Sequence, residues 1–268
     1  SISMCCYAGK LLQQAEMSDR ATLLDKAVRL MTDRAPDHAL SAHVDREQEV
    51  GAAGSVLSYT VSLRNLGAQA DQYSLAIDGA QWPTQIIDPA SGAPTTALDV
   101  PACGTRDLVV RVAIPAGKGW NAHDTATLRI VSRDGGSGPV SQTLRIESRT
   151  PAPLLVVDDD QWVDVQAIYT QALTTAGIPY DLWEVGHSSN DGRGSPPAER
   201  LAMYPIVLWF TGYDFLDTLS PAEEARLATY LAAGGRLLLS AQDYLYTAGL
   251  PDPDMIIRVI PHVIPGMV

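Results

Sequence analysis

The chain has 268 residues, of which 19 are basic and 31 acidic, for a formal charge of -12; this is enough length for two domains with cores of their own. So acidic a balance argues against a nucleic-acid surface or an anionic membrane as partner. No uninterrupted apolar stretch of about 18 residues or more is present to span a bilayer. Of the three cysteines, Cys5 and Cys6 are adjacent and Cys103 is distant, a spacing that fits neither a disulfide framework nor a zinc site.

The first residues, Ser1-Ile-Ser-Met-Cys-Cys-Tyr7, lack a basic segment followed by an apolar core and so do not read as a secretory signal. Residues 18–33 read as an amphipathic helix, with Ser18 or Asp19 as N-cap and Ala21, Leu24, Val28 and Met31 on one stripe. A lone helix of that length is marginal in water. Residues 1–36 are therefore expected to be the last helix of a preceding domain, and the chain a piece of a longer polypeptide.

From 37 to 149 the pattern changes to short alternating runs separated by Gly, Pro, Asn and Asp, the signature of an all-β domain. Leu57, Tyr59, Val61 and Leu63 alternate with polar neighbours, and Leu108, Val110, Val112 and Ile114 form a second such run. Further strands are expected at 73–77, 86–87, 125–131 and 140–146. That count, in about 110 residues, is that of an immunoglobulin-like sandwich. The phrases Tyr59-Thr-Val-Ser-Leu-Arg-Asn-Leu-Gly67, Gln81-Trp-Pro83, Gly104-Thr-Arg-Asp-Leu-Val-Val-Arg-Val-Ala-Ile-Pro115 and His123-Asp-Thr-Ala-Thr-Leu128 follow in order. Together they resemble the bacterial extracellular Ig-like modules of the NEW3 and CARDB type. The resemblance implies a secreted or cell-surface parent in which the module is a spacer or binding platform. Trp82 and Trp120 are read as exposed, a thin basis for a carbohydrate platform.

Glu147-Ser-Arg-Thr-Pro-Ala-Pro153 reads as an extended linker, and a βαβ rhythm follows over 150–268. Leu154 to Val157 is a strand buried on both faces. A helix over 163–176 carries Val165, Ile168, Tyr169 and Ala172 on one stripe and stops at Gly177. Strands are expected at 181–185, 206–210 and 236–240. Between the last two, Ser220-Pro-Ala-Glu223 opens a helix with a Ser N-cap, Pro at N1 and Glu at N3. The expected fold class is thus multidomain: an Ig-like sandwich, then a doubly wound α/β (Rossmann-like, flavodoxin-like) domain that is incomplete. Leu154-Leu-Val-Val-Asp-Asp-Asp160, Tyr204-Pro-Ile-Val-Leu-Trp-Phe-Thr-Gly212 and Leu231-Ala-Ala-Gly-Gly-Arg-Leu-Leu-Leu-Ser240 resemble the class I glutamine amidotransferase-like fold. In the enzymes of that family a nucleophilic cysteine sits in a Gly-x-Cys-x-Gly elbow. Here the place reads Leu238-Leu-Ser-Ala-Gln-Asp243, and no later His-x-Glu follows. The resemblance therefore implies a module without glutamine hydrolysis.

The opening run is also similar to that of response-regulator receiver domains, but strand three ends Leu208-Trp-Phe-Thr-Gly212 with no phosphoacceptor aspartate. Parallel sheets bind ligands at the carboxyl ends of their strands. That places Asp158, Asp159, Asp160, Thr211, Gly212, Gln242 and Asp243 as candidate ligand-binding residues. The three consecutive acids, with Asp214 and Asp243 nearby, are also candidate ligands for Mg²⁺ or Ca²⁺. Neighbouring strand positions point to opposite faces, so at most two of the three converge; the other reading is a helix cap among solvated acids. Ser240 is the candidate nucleophile, against a strand-end serine that satisfies backbone groups. It lacks flanking glycines, and His187 and His262 are poor partner bases.

Two functions stand at this stage. One is a non-catalytic accessory, binding or spacer region of a large secreted bacterial protein, itself a peptidase or other hydrolase, whose partners are other domains of the polypeptide and a polysaccharide or protein ligand. The other is a hydrolase acting through the acid cluster with a metal, or through Ser240. The loop at 187–197 and the proline-broken apolar run from Met255 to Val268 belong to neither.

Overall fold

The computed structural model describes residues 37–134, 140–160, 163–186, 194–214, 218–242 and 244. The helix expected over 18–33 lies outside these, as do Trp162, His187, Asp243, His262 and the run from Met255. The described residues fall into two compact units, 37–118 with 123–149, and 119–122 with 150 onward.

The first unit is a β-sandwich. Its strands are β1 (Leu40–Val44), β2 (Gln48–Val50), β3 (Val56–Asn65), β4 (Asp71–Asp78), β5 (Thr84–Ile87), β6 (Ala97–Val100), β7 (Thr105–Ala113), β8 (His123–Ser132) and β9 (Ser141–Arg149). They form a four-stranded sheet in the order β1-β3-β7-β5 and a five-stranded sheet in the order β2-β9-β8-β4-β6. Every pair is antiparallel except β2 with β9, so the leading segment serves one sheet with β1 and the other with β2. The alternation seen in sequence is the pleat: Leu57, Tyr59, Val61 and Leu63 of β3 are buried, as are Leu108, Val110 and Val112 of β7. Tyr59 donates its hydroxyl to Glu147 O at 2.7 Å, tying one sheet to the other. The architecture is Ig-like.

Buried polar side chains of this unit hold its turns. Asn65 closes β3 by donating Nδ2 to Gln69 O (2.8 Å) and Val100 O (3.1 Å) while its Oδ1 accepts from Gly67 N (2.8 Å). Asp124 accepts from the backbone N–H groups of Gln81 and Trp82. That grip seats Trp82 in the core at 3% exposure, which corrects the expectation of an exposed ring; Trp120 is 55% exposed. Cys103 is disulfide-bonded, contrary to the reading from cysteine spacing, which does not see proximity in space.

The second unit carries β10 (Leu154–Asp158), α1 (Gln166–Thr175), β11 (Asp181–Glu184), α2 (Ala198–Leu201), β12 (Ile206–Phe210), α3 (Pro221–Ala232) and β13 (Arg236–Ser240). The four strands make one parallel sheet in the order β11-β10-β12-β13. All five residues of β10 are buried, as its unbroken apolar run requires. One face packs Leu155, Val157, Val207, Trp209 and Leu237 under Leu227 and Tyr230 of α3. The opposite face packs Leu154, Val156, Leu208 and Phe210 under α1. The capping box at Ser220 and Glu223 forms as the sequence predicts.

This sheet does not amount to a doubly wound α/β domain. Strand accounts for 43% of the described residues and helix for 14%, and the described helices are three short ones of 10, 4 and 12 residues. The four-residue α2 is the whole described helix between β11 and β12, and no residue of α1 is fully buried. The Rossmann-like and flavodoxin-like expectation is thereby corrected, and the glutamine amidotransferase-like resemblance falls with it. Apolar runs specify buried parallel strands; they do not specify thick helical layers over them. The helix stripe is corrected too. Tyr169 and Leu173, with Val165 just before the helix, meet the sheet, whereas Ile168 is 68% exposed and Ala172 is exposed.

Candidate functional site

The carboxyl end of the parallel sheet brings most of the candidate residues together. Pairing continues past the strands: Val185 N donates to Asp158 O, Asp159 N to Phe210 O, and Thr211 N to Ser240 O. Three consecutive acids are thus carried into the interior, and Asp158, Asp159 and Asp160 are all buried.

Alternation separates them. Asp158 and Asp160 lie together, with Asp160 N donating to Asp158 Oδ1 at 3.4 Å and a hydrogen bond between the two carboxyls. Asp160 Oδ2 also accepts from Val165 N at 2.5 Å, fixing the entry to α1. Gly212 (φ 56°) makes room for this, since a Cβ there would stand 2.9 Å from the Asp160 Cβ. Asp159 turns the other way and accepts from Trp209 Nε1 at 3.0 Å. On its side Glu223 accepts from Ser220 N at 2.6 Å and from the Ser195 hydroxyl.

The electrostatics follow from burial. Asp158 is pushed up to about 7, first by loss of solvation and then by the charge and hydrogen bond of Asp160. Asp159 is also pushed up to about 7, first by burial; the Trp209 indole opposes the shift, and the charges of Glu223, Asp214 and Asp158 add to it. Near neutral pH both acids therefore carry protons for part of the time. A carboxyl in that range has the proton affinity of a general acid or base, but each is engaged with protein groups.

The acids are split between two faces of the sheet. Among the described residues no group of three or more His, Cys, Asp or Glu is placed to hold a metal ion. Ser240 Oγ lies 2.7 Å from the Tyr169 hydroxyl, whose ring stacks on Phe210 with centroids 4.2 Å apart. Thr211 is fully buried, and its Oγ1 has no hydrogen-bond partner. Gln242 is exposed, away from the buried acids' bonding; Asp243 lies outside the described residues. Sequence reasoning missed Tyr169, Trp209 and Glu223, the residues that engage Ser240, Asp159 and Ser195. Their signal was ambiguous, because each also sits at a position expected of core or cap.

No known family model and no curated protein matches the chain, so the NEW3 and CARDB-type resemblance gains no family assignment. Among solved structures the chain is similar to the PapD-like domain of human CEP192, with 11% identity over 44% of this chain and 88% of that one, at a TM-score of 0.28. A FixG-related protein from Vibrio parahaemolyticus is 19% identical over 42% of this chain and 94% of that one, at 0.29. The major pilin subunit of Bacillus cereus is 8% identical over 47% and 44% respectively, also at 0.29. Scores this low carry no argument about what the chain does. No described helix is long and apolar enough to cross a membrane.

Proposed function

We propose that the chain is a non-catalytic accessory region of a large secreted bacterial protein: an Ig-like spacer or adhesion module joined to a parallel-sheet unit that positions neighbouring domains or binds a polysaccharide or protein. The observation that carries this reading is how the groups an enzyme would use are engaged. Ser240 is bonded to Tyr169, Asp159 to Trp209, and Asp160 to Val165 N. A nucleophile needs a base within hydrogen-bond reach; the side chain against Ser240 is a phenol, with its hydroxyl at 2.7 Å. In the sandwich, the buried Asn65 and Asp124 hold its own turns. The disulfide at Cys103 supports an oxidising, extracytoplasmic compartment, and the parent's chemistry then lies in other domains, of a peptidase or another hydrolase.

The test is a panel of ester, amide and glycoside substrates, run with and without Mg²⁺ and Ca²⁺ across pH 5–9. No turnover above background, unchanged in Ser240→Ala and Asp159→Asn, is the expected result. Turnover abolished by either substitution would overturn the reading and install the hydrolase.

A further inference from the structure

Cys103 occupies the turn between β6 and β7, at φ 56°. An L-residue adopts that left-handed conformation only where its surroundings hold it there. The turn is held on both sides of the cysteine. Gly104 N donates to Pro101 O at 2.9 Å, Asn65 N donates to Gly104 O at 2.9 Å, and Asn65 Nδ2 donates to Val100 O at 3.1 Å. Cys103 is therefore a half-buried residue on a turn anchored to the end of β3.

The disulfide on Cys103 needs a second sulfur. The chain holds three cysteines in all, and the other two are Cys5 and Cys6, outside the described residues. The partner within this chain is thus one of two sequence neighbours, and they cannot both take it. A bond between the two neighbours is a poor alternative, because consecutive Cα atoms stand about 3.8 Å apart across a trans peptide, short of the roughly 4.4–6.8 Å that a disulfide spans. One thiol is left over next to the disulfide, the case in which an odd cysteine count points to a reactive group.

We infer that Cys103, Cys5 and Cys6 form a disulfide-exchange centre: Cys103 is tethered to either member of the neighbouring pair, and the other member is a thiol that displaces its neighbour from the bond. Closure of the tether consumes a small-molecule disulfide, which is reduced to two thiols as Cys103 and one neighbour are oxidised. The exchange itself conserves electrons. The thiolate of the free cysteine attacks Cys103 Sγ, a new Sγ–Sγ bond forms as the old one breaks, and the neighbour leaves as a thiolate that takes up the proton the attacker gave up. No oxidant or reductant is consumed, so the tether persists while its partner changes. Residues 1–36, expected from sequence to end a preceding domain, are then joined to the sandwich by a covalent bond at the β6–β7 turn as well as through the backbone.

Peptide mapping of the full chain tests this, with the protein folded in a buffer of glutathione and its disulfide, alkylated without reduction and cut by trypsin. Cleavage after Lys10, Arg64 and Arg106 leaves Cys5 and Cys6 on the peptide 1–10 and Cys103 on the peptide 65–106. The expected product is these two peptides joined, with one alkyl group on the remaining cysteine. Cys5→Ser and Cys6→Ser should each keep the link and lose that alkyl group, because either neighbour suffices. Recovery of the two peptides apart, with Cys103 alkylated, overturns the tether, whether Cys5 and Cys6 are then alkylated or bonded to each other. Loss of the link in either serine variant, with the link intact in the wild type, overturns the exchange in favour of a fixed disulfide.

Discussion

Single side chains decide more of this molecule than its composition suggests. Asn65 satisfies two carbonyls and one N–H at the end of β3 from a fully buried position. Alanine there leaves those groups unpaired in the interior, at roughly 1–3 kcal/mol for each one that water cannot reach. Asn65→Ala is therefore expected to lower stability by more than about 2 kcal/mol, read as a lower denaturant midpoint at unchanged slope. Its neighbour Gly67 is fixed by contact: a Cβ there would sit 2.4 Å from Asp37 O and 2.9 Å from the His38 Cα. Both partners are backbone and cannot swing aside. Gly67→Ala should cost about as much as Asn65→Ala, and the same titration checks it; equal midpoints for wild type and variant would mean that residues 37–38 do not pack on this turn. The Asn-Leu-Gly phrase in the sequence is thus a turn with a mechanism.

At the scale of elements, what was legible tracks how local the cause is. β12, β13 and the capped α3 lie where apolar runs and capping residues place them, since those signals are complete within a few residues. The orientation of α1 is not of that kind. Its sequence offers Ile168 and Leu173 as equally apolar, and the choice between them rests on Val165, Tyr169 and Leu173 meeting the sheet, a tertiary fact. Ile168→Glu is accordingly expected to change stability by less than about 0.5 kcal/mol, while Leu173→Ala costs about 1–2 kcal/mol from a half-buried site. Thermal melts of the pair check this, and the reverse order would mean that α1 is rotated. The candidate site was legible as a place, the carboxyl ends of the strands. Its chemistry was not, because hydrogen bonds from Tyr169 to Ser240 and from Trp209 to Asp159 span 71 and 50 residues. The glycine pair after α3 is a similar case: Gly235 reads as a helix stop, but a Cβ there would stand 2.3 Å from the Tyr230 ring. Gly235→Ala should displace Tyr230 from its bond to Tyr204 O and lower the melting temperature by several degrees, roughly what 1–2 kcal/mol produces in a unit of this size.

For the molecule as a whole, the division into two compact units and the placement of the raised acids make a joint prediction. Asp158 and Asp159, both pushed up to about 7, belong to the second unit. In the unfolded chain an aspartate titrates near 4, at roughly 3.9. Between that value and 7 the native unit holds protons that the unfolded chain has released, so its stability falls as pH rises through this window and levels off above it. Below pH 4 both states are protonated and the difference vanishes. Calorimetry at moderate salt should therefore resolve two transitions, one moving down by at least about 5 °C between pH 5.5 and pH 8. The other should move less, because among the described residues the carboxyls pushed up by burial, Asp158 and Asp159, lie in the second unit. Asp158→Asn replaces the acid with a neutral group of the same shape and should reduce the pH response of the mobile transition, leaving the share that belongs to Asp159, without affecting the steady one. A single transition would mean that the units unfold together, and the same pH response in Asp158→Asn as in wild type would place the proton uptake somewhere other than Asp158.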